Sequence, residues 1–84
     1  MKHIHLFFFL VFYLSSYCQV SVGYTALYTK GVEAITKGNF QAAINDFSEA
    51  IKANPNEPIA YYSRGNARQE LKLFLDAIKD YTWI

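Results

Sequence analysis

The sequence predicts an all-α chain: a tandem helix-turn-helix solenoid of about two repeats, preceded by a signal peptide. Three observations predict it. A nearly unbroken apolar run sits near the N-terminus, apolar residues recur at helical spacing from Tyr24 onward, and the chain matches itself at an offset of 34 residues. Its 84 residues leave room for at most one small domain.

The leader comes first. Lys2 gives a short positive start, Ile4 to Leu14 an apolar stretch, and Ser15, Ser16, Tyr17 and Cys18 a polar region in which Ser16 and Cys18 are small enough for a signal peptidase. Residues 1–18 are therefore expected to be removed, leaving Gln19 as the new N-terminus and 19–23 as a short linker. The apolar run is short for a membrane span of about 20 residues, so the chain meets the membrane only if the leader stays uncleaved. The expected localisation is exported: periplasmic, envelope-associated or secreted.

The repeat comes second. At the offset of 34, Ala26 meets Ala60, Tyr28 meets Tyr62, Gly31 meets Gly65, Phe40 meets Phe74, Ala43 meets Ala77, Ile44 meets Ile78 and Asp46 meets Asp80. Seven of 27 aligned pairs are identical, where ordinary residue frequencies give about one or two. This divides the chain into a first repeat over 24–57 and a second over 58–84, the latter incomplete at its C-terminus.

Within the first repeat, Tyr24, Leu27, Tyr28, Gly31, Ala34 and Ile35 lie on one helical face; Gly38 then stops that helix and Asn39 is expected to cap the next. Ala43, Ile44, Phe47, Ala50 and Ile51 continue at intervals of three and four, predicting a helix over 40–53. Pro55 ends it, Asn56 is the expected cap, and Pro58 fits the first turn of the following helix. In the second copy Lys72 and Leu73 replace Gly38 and Asn39, so that turn is expected to be less well specified.

These residues resemble the tetratricopeptide repeat family. Gly31 and Gly65 are similar to its close-packing positions, Ala43 and Ala77 to its second-helix contacts, Phe47 and Tyr81 to its gap-filling rings, and Ala60 to Ala67 to its first helix. The resemblance implies paired helices stacked in tandem, with first helices lining a groove that binds protein. The groove positions it implies are Thr25, Tyr28, Thr29, Val32, Ile59, Tyr62, Ser63, Asn66 and Gln69; Tyr28, Val32, Tyr62, Ser63, Asn66 and Gln69 are the chosen peptide- or protein-binding candidates. Some family members clasp a peptide's terminal carboxylate with lysine, arginine and asparagine. Only Asn66 has a counterpart here, with Tyr28 and Tyr62 where a lysine would stand, so a mostly neutral, aromatic partner is expected.

Other functions find little support. Lys2 is the one basic residue of the leader and the chain has eight Lys and Arg against seven Asp and Glu, so the remainder is electrically balanced and offers no basic face for nucleic acid. The leader holds the only cysteine and both histidines, which removes from the remainder the usual general base, the thiol nucleophile and most transition-metal ligands. The scattered glycines form no phosphate loop, and no catalytic residue, metal or cofactor is expected. The sequence thus reads as a non-catalytic adaptor for a protein or peptide. Its alternatives are the front of a larger repeat protein or enzyme, or a membrane-anchored repeat protein. Two repeats are fewer than the three or so that usually stand alone, and Tyr81, Trp83 and Ile84 suggest self-association through the open end.

Overall fold

The computed structural model describes residues 23–83. The expected signal peptide, its cleavage point after Cys18 and residues 19–22 lie outside the described residues, as does Ile84. Four helices follow one another: α1 over residues 23–36, α2 over Phe40–Ala53, α3 over Pro58–Glu70 and α4 over Phe74–Trp83. There is no strand among the described residues, and no helix among them is long and apolar enough to cross a membrane.

The C-terminal end of α2 follows from its sequence. Lys52 lies in the last turn, where it complements the helix dipole, and the Asn54 amide N–H returns to the Ala50 carbonyl just before Pro55 prevents continuation. Pro58 occupies the start of α3, where its missing N–H costs nothing.

The capping residues differ from expectation. Asn39 stands at the N-cap of α2, but its side chain makes no capping hydrogen bond; its backbone N–H instead closes the turn on the Ala34 carbonyl at 2.8 Å. The N-cap of α3 is Glu57, not Asn56. Asn56 is drawn into a local turn, its N–H donating to Asn54 Oδ1 at 3.3 Å.

The two hairpin turns share one geometry. In the first, Gly38 N–H donates to the Ile35 carbonyl and Asn39 N–H to Ala34, the paired bonds of a Schellman stop, with Gly38 at φ +78°. In the second, Lys72 N–H donates to Gln69 and Leu73 N–H to Arg68, with Lys72 at φ +63°. The second turn is therefore as fully formed as the first, against the expectation from its missing glycine. Lysine holds a left-handed conformation that costs a side chain about 1–2 kcal/mol.

Close crossing explains the two remaining key glycines. A Cβ on Gly31 would lie 2.5 Å from the Phe47 ring, and one on Gly65 2.7 Å from the Tyr81 ring. Each aromatic of a second helix thus lies against the bare backbone of the first. Ala34, Ala43, Ile44, Phe47 and Ala67 form the apolar core, with Tyr28, Ile35 and Phe40 packed against it. Because Ala67 belongs to α3, the core joins the two hairpins rather than filling one.

Candidate peptide-binding groove

The first helices of the two hairpins meet directly, since Tyr28 of α1 and Ser63 of α3 share a 3.3 Å hydrogen bond between their hydroxyls. Towards the C-terminal ends of α1 and α3 lies an open hollow of about 500 Å³, lined by Ile35, Phe40, Asn66, Ala67, Gln69 and Glu70. Ile35, Phe40 and Ala67 give it an apolar part, and Asn66 and Gln69 contribute two amides. Glu70 is its one charged lining residue.

The six candidate residues divide. Asn66 and Gln69 share the hollow, while Val32 and Tyr62 are exposed. Tyr28 and Ser63 satisfy one another, and the Tyr28 ring packs 5.5 Å from Phe47 and stacks on Tyr24 at 6.2 Å. The two tyrosines at one register therefore differ: Tyr28 is chiefly part of the inter-helix packing, whereas Tyr62 is half exposed, leaning on Tyr81 with ring centroids 5.8 Å apart. Ile35, Phe40 and Glu70 complete the hollow without having been chosen as groove positions from the sequence, where Ile35 was read as part of the apolar helix face. Ile35 was legible as the next residue after Val32 at an interval of three.

Tyr81 of α4 prepares the amides. Its hydroxyl lies 2.6 Å from Asn66 Oδ1 and 3.1 Å from Gln69 Oε1. A hydroxyl has one proton, so the shorter contact holds it. Engaging Asn66 Oδ1 leaves the NH₂ of that side chain as an available donor, which suits acceptor groups such as peptide carbonyls. Burial raises the Tyr81 pKa above its ordinary value of 10.0, with Tyr62 and Asp80 adding to the effect. The donor therefore stays protonated throughout the neutral range. Tyr24 is shifted the same way, by burial first and then by Glu57 and Tyr28, and its buried hydroxyl has no hydrogen-bond partner among the described residues.

A second polar cluster ties the hairpins together. Asp80 of α4 is only 3% exposed and accepts from Arg64 Nη2 at 2.7 Å, Arg64 Nε at 3.1 Å and Arg68 Nη1 at 2.7 Å. Arg64 also donates through Nη1 to Ser48 Oγ on α2 at 3.1 Å, and its guanidinium sits 5.6 Å above the Tyr61 ring. Trp83 stacks on the same tyrosine at 3.9 Å. This arrangement is structural: the carboxylate is consumed by two cations, and no cluster of metal-binding side chains occurs among the described residues.

The fold defines a class, the tandem helical-hairpin repeat. Comparison with known proteins gives the family: residues 33–72 match the model described as TPR repeat, and this stretch belongs to the tetratricopeptide repeat family. Over 51 residues, 61% of the chain, it is 37% identical to "Small glutamine-rich tetratricopeptide repeat-containing protein 2" of Saccharomyces cerevisiae. Over 51 residues it is 35% identical to "Hsp70-Hsp90 organizing protein 1" of Glycine max. The chain spans 15% and 9% of the lengths of these two relatives. No solved structure matches it.

Proposed function

We propose that this chain is an exported, non-catalytic scaffold or adaptor that binds a peptide or protein surface across α1 and α3. The observation that carries the proposal is the open hollow in which Tyr81 holds the Asn66 amide beside Gln69, next to exposed Tyr62 and Val32. Aromatic side chains with apolar faces and polar tips dominate binding energy at interfaces. With Glu70 the only charge lining the hollow, a largely neutral peptide rich in apolar and aromatic residues fits better than one recognised through a terminal carboxylate. The second relative is named for organising Hsp70 and Hsp90; the groove here supports protein binding as the shared property, with a different partner chemistry.

Panning a random peptide library on the immobilised chain, followed by fluorescence titration of an enriched peptide, tests this reading. Tyr62→Ala and Gln69→Ala are each expected to weaken binding by about tenfold or more, and amidating the peptide's C-terminus to change it little. Failure to enrich any sequence, or wild-type affinity in both variants, would overturn the groove assignment. Mass spectrometry of the expressed product tests export separately: a chain beginning at Gln19 is expected, and an intact leader would indicate a membrane-anchored form.

A further inference from the structure

Three register positions change character together between the two copies. Val32, Ile35 and Phe47 of the first hairpin are apolar, whereas their counterparts in the second, Asn66, Gln69 and Tyr81, carry two amides and a hydroxyl. The fold does not require the exchange, because Phe47 makes the same crossing against Gly31 that Tyr81 makes against Gly65. The two amides instead lie at the hollow, which both of them line.

Geometry decides which way round the Asn66 amide sits. Gly65, the residue before it, has no side chain, so the Tyr81 ring lies against bare backbone there and its hydroxyl comes within 2.6 Å of Asn66 Oδ1. A contact this short belongs to an O–H donating to oxygen, since N–H···O bonds centre on about 2.9–3.0 Å. The Asn66 oxygen is therefore the acceptor, and its NH₂ donates to no group among the described residues. Gln69 Oε1, at 3.1 Å, is the longer alternative for the same single proton. One amide is thus fixed, and the exposed Gln69 is left free to turn.

We propose that Tyr81 is a positioning residue of the groove: by holding the Asn66 oxygen it keeps the NH₂ as a fixed donor for a backbone carbonyl of the bound peptide. The inference rests on the peptide-binding reading above and adds a polarity to it. An unheld asparagine can offer either its oxygen or its NH₂, two ends of nearly the same shape, and binding must then select one of them. Selection by Tyr81 before the peptide arrives removes that cost. It also makes the site discriminate, because a peptide acceptor meets a donor at Asn66 whereas a peptide N–H at the same place would meet another N–H.

Fluorescence titration of the panning-enriched peptide against the full chain tests this. Tyr81→Phe keeps the ring, as Phe47 does in the first copy, and is expected to weaken binding about three- to tenfold with the wild-type circular-dichroism spectrum. The same change made on top of Asn66→Ala is expected to alter affinity little, because Tyr81 acts through Asn66; general loosening of the hairpin would weaken binding in both backgrounds. Asn66→Asp still accepts from the Tyr81 hydroxyl but has no N–H to give, and is expected to bind about tenfold or more weakly. Equal losses from Tyr81→Phe in both backgrounds, or wild-type affinity in Tyr81→Phe or in Asn66→Asp, would overturn the proposal and leave the groove standing if Tyr62→Ala and Gln69→Ala weaken binding. Wild-type affinity in those last two variants, or panning that enriches nothing, would overturn the groove assignment and this inference with it.

Discussion

In the first hairpin, Phe47 is fully buried against Gly31 among alanines and Ile44, and Asp46 at the edge is only partly buried. In the second, the ring against Gly65 is a tyrosine that sends its hydroxyl out to Asn66 and Gln69, and Asp80 lies buried beneath two arginines. The same 34-residue register thus supports an apolar core in one copy and an ion-paired, hydrogen-bonded one in the other. The exchange turns on Arg68, which stands where the first copy has Ala34. Once a guanidinium enters that place the carboxylate beside it becomes its necessary partner, because a charge withdrawn from water must be paired.

The two aspartates give the widest expected separation. Asp80→Asn should destabilise the chain by about 2–3 kcal/mol, the range for removing one member of a buried pair, reduced because both arginines keep some contact with water. Asp46→Asn, at the same register, should stay within about 0.5 kcal/mol. Urea melts followed by circular dichroism compare them directly, and equal losses would mean that the Asp80 cluster adds nothing to the stacking of the hairpins.

The crossing glycines come next. Gly31→Ala drives a methyl into a buried ring that has nowhere to go and should cost about 2–3 kcal/mol, whereas Gly65→Ala, facing a partly exposed Tyr81, should cost about 1 kcal/mol. The same melts check this order, and a reversed order would show that the Tyr81 hydrogen bonds constrain its ring more than burial constrains Phe47. The turns give the smallest effect and opposite signs. Lys72→Gly should stabilise by about 1 kcal/mol by relieving the left-handed side chain, and Gly38→Ala should destabilise by about the same amount. A shift in thermal midpoint is the readout, and a Lys72→Gly variant no more stable than wild type would place compensating contacts at that lysine.

What the sequence determined by itself is what local geometry encodes. Spacing of three and four placed α2 at 40–53, the prolines marked the break between repeats, Gly38 marked the left-handed stop, and the offset of 34 paired Gly31 with Gly65, whose close crossing the family resemblance implied. The second turn was misjudged because turn chemistry states which residue is most comfortable at φ above zero, not whether packing will hold a lysine there. The groove was legible only as a helix face. That Tyr28 turns inward, that Tyr81 holds Asn66, and that Asp80 rather than Asp46 is buried were all decided by the tertiary structure. These outcomes depend on partners that lie on other helices, 12 to 35 positions away along the chain. Identical letters at identical register then acquire different roles, because a side chain's protonation, pairing and exposure answer to what surrounds it in space.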